Sequence, residues 1–196
     1  MLLICMPSDN PNTKYSNNIL RFEEGIKPDN VQIERYNNGA YKSVKSYKYD
    51  ILHGNYVTFY PNGQVERFIE YNSGVPNGKY CSFYEDGKPW IICNFKKGLL
   101  NGEFYEFYDT GKPWNIAYFI DNKKCGKFRS YYHNNKPMIK CSYINDVKNG
   151  EFKQFDYDGR LKKEGYYLNN NIIGICKEYN PETGFIEKTT DYSVNL

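Results

Sequence analysis

The sequence predicts an all-β protein, an elongated single antiparallel meander sheet built of tandem β-hairpin repeats. Three observations indicate this class. A glycine recurs every 24 residues, at Gly54, Gly78, Gly102, Gly126, Gly150 and Gly174. An aromatic residue follows every one of these glycines five residues later, and a tight-turn sequence such as Asn62-Gly63 follows most of them. Self-similarity at such a period is typical of arrays in which each unit packs on its neighbours.

The array is predicted to span residues 19–192. An irregular N-terminal leader, residues 1–18, contains two prolines and a polar run, and chain termini of this kind carry little order. A first strand is expected to begin near Ile19, where the sequence resembles the second half of the repeat. Residues 193–196 are expected to form a C-terminal tail.

The segment from Asn30 to His53 is interpreted as a degenerate repeat. It keeps Gly39 and Tyr47 in register, although its opening glycine is replaced by Asn30. The clearest repeats begin with the six periodic glycines. Because terminal repeats need polar caps, residues 1–30 and 185–196 are expected to cap the two ends.

Each repeat is predicted to form one β-hairpin. Its turn is expected at dipeptides such as Asp86-Gly87, taken as a two-residue loop that needs positive φ. In the resulting register Gly78 lies opposite Phe95, and Tyr84 lies opposite Pro89. The ring of Phe95 then covers the bare glycine, which is a known way to stabilise glycine within a strand.

Two further features support the hairpins. Asn135 replaces the turn glycine in one repeat, and asparagine tolerates positive φ better than most residues. Proline opens the second strand where a missing N–H costs least, at Pro89, Pro113 and Pro137. The residues that end each repeat, such as Asn72 to Asn77, are expected to be polar connectors to the next hairpin.

The composition excludes some classes of function. The 26 Lys and Arg residues are nearly balanced by 23 Asp and Glu, so nucleic acid is not an expected partner. Aromatic residues make up 18% of a chain whose mean hydropathy is −0.78, which is too aromatic for disorder. There is no signal peptide and no long apolar run, which predicts a soluble cytoplasmic protein. The Asn-, Lys- and Tyr-rich composition suits an AT-rich genome; a viral protein would lie in the host-cell cytoplasm or the virion.

No residues are placed for catalysis, so the sequence predicts a protein that is not an enzyme. No cofactor, metal or small-molecule substrate is expected. His53 and His133 occupy different repeat positions without a catalytic partner. Glu103 and Glu151 share a repeat position, but at about 20 Å they would be too far apart for paired-carboxylate chemistry. The six cysteines follow no disulfide or zinc spacing and are expected to be reduced.

The repeated unit GxYxxFYxNGxxxxxxxYxxGxxxG resembles the variant form of the MORN repeat. The resemblance covers about residues 30–192 and is carried best from Gly54 to Gly174. It implies a single extended antiparallel sheet. It also implies a role like those of other MORN-like arrays, which occur in scaffolding and junction proteins, lipid-associated proteins, bacterial antitoxin components and proteins of large DNA viruses. Departures at Asn135, Cys176 and Gly184 affect only the regularity of the last repeats.

Trp90 and Trp114 are the first candidates for an interaction surface. They lie in the near-duplicate strings GKPWII and GKPWNI, so they are expected on one face, about 10 Å apart. One interpretation is that the rings pack over Phe83 and Phe107 across the hairpin. The other is that they line an aromatic strip for a partner, since Trp dominates interface hot spots. Met138 holds the same position one repeat later.

A row of basic residues at the hairpin tips is the second candidate, formed by Lys88, Lys112, Lys136 and Arg160. Such a rim could meet an acidic surface or lipid phosphates. Acidic residues stand beside it and offset its charge, at Asp86, Asp109 and Asp158. The alternative is a solvated rim that keeps the sheet soluble.

These observations predict a non-catalytic protein–protein interaction or scaffold module that presents a repeated aromatic sheet face. The partner is expected to be another protein, or a second copy of the chain in a homodimer. Two alternatives stay open. One is weak peripheral binding to an anionic phospholipid membrane through the basic hairpin tips. The other, which depends on the resemblance alone, is an antitoxin-like component of a toxin pair.

Overall fold

The structure is a computed structural model that describes residues 30–193. These residues contain 17 β-strands and no helix. They divide into two compact units, residues 30–99 with 109–111 and residues 100–108 with 112–193. The expected leader, the expected first strand near Ile19, most of the N-terminal cap and nearly all of the tail lie outside the described residues.

The first unit is a run of antiparallel strands in chain order. Each strand pairs with the one that follows it from β1 to β6. The strands are β1 (Asn30–Arg35), β2 (Tyr41–Lys48), β3 (Ile51–Phe59), β4 (Val65–Asn72), β5 (Val75–Phe83) and β6 (Pro89–Lys96). The two-residue strand β7 (Leu99–Leu100) lies where the first unit gives way to the second.

The second unit repeats the pattern with short strands between the long ones. Its strands are β8 (Gly102–Phe107), β9 (Pro113–Ile120), β10 (Lys123–Lys124), β11 (Gly126–Tyr131), β12 (Pro137–Ile144), β13 (Val147–Lys148), β14 (Gly150–Phe155), β15 (Leu161–Leu168), β16 (Asn171–Tyr179) and β17 (Ile186–Asp191). Pairing is again antiparallel between neighbours. The predicted all-β class and the meander of tandem hairpins are confirmed.

The predicted register is correct along the body of each hairpin. Gly78 lies opposite Phe95, and Gly102 lies opposite Phe119. The degenerate repeat follows the same rule, because Asn30 lies opposite Tyr47.

The predicted two-residue turn is wrong, and the register near the tip is wrong with it. The Gly87 N–H donates to the carbonyl of Tyr84, and the Tyr84 N–H donates to the carbonyl of Lys88, so three residues form the loop. Gly87 has φ of 84°, as expected for the αL residue that closes a loop of this length. Pro89 therefore lies opposite Phe83 rather than Tyr84.

A β-bulge on the second strand of each hairpin compensates for the odd loop. Phe83 pairs with Pro89 and Ser82 with Ile91, so Trp90 is an extra residue without an opposing partner. One extra loop residue and one bulged residue together restore the register that a two-residue loop would give. The bulged residues are Lys42, Glu66, Trp90, Trp114, Met138, Lys162 and Glu187.

The connectors between repeats are also tighter than expected. At Asn72–Asn77, Asn72 pairs with Val75, and only Ser73 and Gly74 form the turn. Both have positive φ, 50° and 81°, which is the type I′ conformation favoured in two-residue hairpins. Both residues also have positive φ in the equivalent turns, which are Tyr49-Asp50, Lys97-Gly98, Asp121-Asn122, Asn145-Asp146 and Asn169-Asn170.

Gly78, the opening glycine of one repeat, has a second role that its spacing does not predict. Gly78 has φ of 126°, and a β-carbon there would collide with the Glu70 side chain. The same carboxylate accepts a hydrogen bond from the N–H of Lys79 at 2.6 Å. The position therefore needs glycine for its backbone angle and for space, and not only as a bare site under Phe95.

Aromatic pairs across the hairpin form the regular part of the packing. In five repeats the ring two residues after the opening glycine lies against the ring of the residue opposite that glycine. Centroid distances run from 4.4 to 6.3 Å, for Tyr56–Tyr71, Tyr80–Phe95, Phe104–Phe119, Phe128–Tyr143 and Phe152–Tyr167. Pairs at these distances stabilise beyond their buried area. The buried centres are small: Val44, Val57 and Phe59 in the first unit, and Cys141, Phe152 and Cys176 in the second.

Candidate interaction surfaces

Tyrosine hydroxyls at the hairpin tips join each repeat to the next. The Tyr60 hydroxyl donates to the backbone carbonyl of Phe83 at 2.9 Å, 23 residues further along the chain. Three equivalent tyrosines make the same bond, Tyr36 to Phe59, Tyr108 to Tyr131 and Tyr132 to Phe155. The tyrosine that precedes the turn in these four repeats is therefore a structural hydrogen-bond donor, a role that the spacing alone did not reveal.

Turn asparagines make a second link between repeats. The Asn62 side chain accepts from the N–H of Gln64 and donates to the carbonyl of Glu85. Asn38 and Asn134 repeat both bonds. One amide thus closes its own turn and ties that turn to the next.

Lys88 takes over half of this role where the asparagine is absent. Asp86 stands at the asparagine position and, as a carboxylate, has no hydrogen to donate. Lys88 bonds Asp86 Oδ2 at 2.6 Å, and its Nζ also donates to the carbonyl of Asp109 at 3.0 Å. Hydrogen bonding by Lys88 is the main cause that lowers the pKa of the Asp86 carboxyl. The basic residue is therefore already engaged within its own unit.

The other residues of the predicted basic rim differ from one another. Arg160 forms an ion pair with Asp158 at 3.7 Å. Lys112 and Lys136 are exposed and, among the described residues, form no ion pair. Free positive charge at the tips is thus concentrated on two lysines of the second unit.

The candidate tryptophans lie against tip tyrosines. Because a bulge re-aims its side chain, Trp90 is turned toward Tyr84, with ring centroids 5.9 Å apart. Trp114 stacks on Tyr108 at 5.4 Å, and the other neighbour of Tyr108 is His133, stacked at 3.7 Å. The two tryptophans belong to different units.

Exposure separates the members of the candidate aromatic surface. Trp90 is 43% exposed and Trp114 is 38% exposed, although each contacts a tyrosine. Phe83 is buried, and Phe107 and Met138 are half-buried. The bulged tryptophans are therefore the members of this set with large exposed rings.

A basic row on one face of the second unit was not singled out by sequence. Arg129 lies directly opposite Lys140, and Lys140 lies directly opposite Lys153. Arg129 and Lys153 share one repeat position, and Lys140 lies on the other strand of the Arg129 hairpin. Only the register between repeats shows that Lys140 also lies opposite Lys153. A groove of 600 Å³ lies beside the row, and its lining includes Tyr105, Ile116, Tyr118, Ile120, Lys127 and Arg129.

Three buried cysteines of the described residues are unsuited to nucleophilic chemistry. Burial raises the pKa of the Cys93 thiol to about 12 and also raises the pKa of Cys141 and Cys176. Cys81 and Cys93, on paired strands, have side chains on opposite faces, and none of the five described cysteines forms a disulfide. Across residues 30–193, no group of three or more His, Cys, Asp and Glu side chains is arranged to hold a metal ion.

None of the described segments is a helix long and apolar enough to cross a bilayer.

No curated protein matches the chain. Among solved structures, 37 chains match. One is from the Glycosylation Associate Protein (Gap123) complex of Streptococcus agalactiae; its TM-score is 0.34 and its identity 16%. That match covers 61% of this chain and 22% of the other, so the present chain spans about a fifth of that protein's length.

The family comparison matches the hairpins themselves. The model described as MORN repeat variant matches five consecutive segments, at residues 52–72, 76–97, 100–121, 124–145 and 148–169. Each segment contains one tip loop, one bulge and the aromatic pair described above. More than half of the sequence is covered in this way, and the chain belongs to the MORN repeat variant family.

Proposed function

We propose that this chain is a non-catalytic interaction module that binds a partner protein through the bulged tryptophans Trp90 and Trp114. MORN repeats are generally associated with protein- or membrane-binding scaffold roles. The observation that carries the proposal is the exposure of both rings, 43% and 38%. Both residues are bulged, so neither has an opposing residue on the paired strand.

The position suits binding because each tryptophan ring is exposed to solvent and is also held in place by a neighbouring ring. Trp90 is held beside Tyr84, and Trp114 is stacked on Tyr108, so each ring loses little conformational entropy when a partner covers it. A buried tryptophan also contributes a large contact area, and Trp is enriched among the residues that dominate binding energy.

Affinity capture with matched variants tests the proposal. Tagged wild-type protein and a Trp90→Ala/Trp114→Ala variant are used to recover partners from the cell of origin, with quantitative mass spectrometry as the readout. The control is Phe185→Ala, which removes a ring that is 76% exposed elsewhere on the chain. We expect a partner set shared by wild type and control and depleted in the double variant. An unchanged set, with thermal unfolding showing that the double variant is folded, would contradict the proposal.

A second candidate function is binding to anionic membranes through the tips. Lys112 and Lys136 support it because neither is neutralised by an ion pair, whereas Lys88 and Arg160 are paired. Co-sedimentation with vesicles containing phosphatidylserine tests it. The lysine-dependent binding should fall with salt and be lost in Lys112→Gln/Lys136→Gln. Sedimentation that is equal for both proteins, or absent, would exclude these tips as a membrane site.

A further inference from the structure

Three cationic side chains stand directly opposite one another on one face of the second unit. Arg129 on β11 faces Lys140 on β12, which in turn faces Lys153 on β14. All three are exposed. Adjacent strands lie about 4.8 Å apart, so the backbone positions of the three residues span about 10 Å. We call this set the cationic row.

The row costs stability within the fold. Like charges directly opposite each other in an antiparallel pair are destabilising. Lys153 is relieved by Glu164, whose carboxylate lies 3.0 Å from its Nζ. Arg129 and Lys140 form no ion pair among the described residues, although the Lys140 ammonium lies over the Phe155 ring, 5.2 Å from its centroid. Glu151, two residues from Lys153 on the same face, forms no ion pair with either. A carboxylate at the position of Lys140 would convert both repulsions into attractions.

An apolar groove adjoins the row at its β9 end. Ile116 lies directly opposite Arg129, so the side chains that line the groove continue into the charged residues. Tyr118 and Ile120 also line it and are 45% and 47% exposed. The face therefore presents apolar and cationic groups side by side.

We propose that this face binds an acidic segment of a partner protein that also carries aromatic or aliphatic side chains. Carboxylates of the segment lie against Arg129 and Lys140 and relieve their mutual repulsion, while an apolar side chain enters the groove beside Ile120. The proposal extends the interaction function to a second surface and partner class, and it does not require Trp90 or Trp114.

The groove favours a polypeptide over other polyanions. A polypeptide supplies carboxylates and apolar side chains together, whereas a planar bilayer contacts protruding residues and cannot enter a groove of 600 Å³. The whole sequence has a formal net charge of only +3, which is weak attraction for nucleic acid.

The test measures fluorescence anisotropy of a fluorescein-labelled random Glu-Tyr copolymer with the full chain at low salt. We expect saturable binding that weakens with salt. The variant Arg129→Gln/Lys140→Gln should lose about tenfold in affinity, since about 1.4 kcal/mol of charge interaction corresponds to that factor. The matched control is Lys112→Gln/Lys136→Gln, which removes the same charge from the tips and should retain affinity within about twofold.

Two further arms separate the alternatives. Ile120→Asn should weaken binding of the copolymer, and Trp90→Ala/Trp114→Ala should not, so failure of the tryptophan surface leaves this proposal intact. Phosphatidylcholine vesicles with about one-third phosphatidylserine and a single-stranded oligonucleotide are titrated alongside. The proposal is overturned by absence of copolymer binding, by equal losses in the two charge variants, or by tighter binding of vesicles or oligonucleotide than of copolymer.

Discussion

The tip tyrosines contribute to stability through their hydroxyl groups as well as their rings. Each of the four tip hydroxyls described above donates to the backbone carbonyl of the last strand residue before the next tip, as Tyr60 donates to Phe83. That carbonyl lies at a tip, where a regular ladder bond gives way to a loop. A partly buried carbonyl that loses its donor stays partly desolvated without a hydrogen bond, which destabilises the folded state.

Tyr60→Phe should therefore lower the free energy of unfolding by about 1 kcal/mol, because the carbonyl of Phe83 loses its donor. Tyr71→Phe is the control, since Tyr71 packs on Tyr56 and its hydroxyl makes no hydrogen bond within the described residues. Urea unfolding followed by circular dichroism measures both. Equal losses in the two variants would show that the ring alone matters.

Asp86 and Lys88 together replace one asparagine, and this equivalence predicts a coupling. In wild type, Lys88→Met should cost about 0.5 kcal/mol, because the carbonyl of Asp109 loses its donor and Asp86 its ion pair. In an Asp86→Asn background the new amide can donate to that carbonyl, as Asn62 donates to Glu85.

The cost of Lys88→Met should then fall close to zero. A double-mutant cycle from urea midpoints measures this difference directly. An identical cost in both backgrounds would mean that the lysine acts through its alkyl stem, which packs beneath Gly111, and not through its ammonium group.

At the scale of elements, the sequence predicted the body of each hairpin but not the length of the loop at its tip. The side-chain pattern shows which face of the sheet each residue occupies. A three-residue loop followed by one bulged residue places every later residue on the same face as a two-residue loop would. Asp86-Gly87 fits either loop by composition, because both need positive φ at the glycine. Only the position of Trp90 distinguishes them, since it moves from facing Phe83 to lying beside Tyr84.

Sequence patterns reveal residues that recur at one repeat position, but they do not reveal how neighbouring repeats pair, and this explains which surface residues could be found from sequence. Trp90 and Trp114 were visible because each lies in the same place in its repeat. The pairing of Lys140 with Lys153 joins two repeats, and it depends on the length of the connector at Asn145-Asp146. A connector interpreted as an irregular loop leaves that register undetermined, so the pairing of Lys140 with Lys153 was not predictable, whereas the Arg129–Lys140 pair follows from the hairpin register.

The type I′ turns offer a place where the chain is not optimal. Lys97 has φ of 51° in the turn Lys97-Gly98, although asparagine is preferred at this position. Lys97→Asn creates the favoured Asn-Gly pair and should raise the free energy of unfolding by about 0.5 kcal/mol. Lys96→Asn, on the adjacent strand residue, should be neutral or destabilising because asparagine is disfavoured in strands. Thermal and urea unfolding of both variants check the pair; a gain from both substitutions would contradict the turn explanation.

At the scale of the whole molecule, the small buried centres indicate that stability comes from many contacts between neighbouring repeats. Ring pairs, tyrosine hydroxyls and turn asparagines each join a strand to its own repeat or to the next one. In such arrays stability is nearly a sum of unit and neighbour terms, and a single unfavourable contact is tolerated if its neighbours hold. The cationic row is a contact of this unfavourable kind.

Lys140→Glu should raise the melting temperature by about 2–4 °C, because opposite charges would then face both Arg129 and Lys153. The same variant should lose affinity for the Glu-Tyr copolymer. Lys112→Glu makes the same change in net charge at a hairpin tip and should alter neither property by a similar amount. A variant that is less stable than wild type would show that the row is not repulsive in the folded chain.

The 23-residue reach of the tip bonds has a consequence for copy number. A donor at one tip always meets the same backbone group one unit later, as Tyr108 meets Tyr131 and Tyr132 meets Phe155. Excision of residues 126–149 would give Tyr108 the carbonyl of Phe155 in place of that of Tyr131, with no new kind of bond required. Duplication works in the same way. Units can thus be gained or lost whole, and excision of this one would remove Arg129 and Lys140 while leaving the pattern of bonds intact.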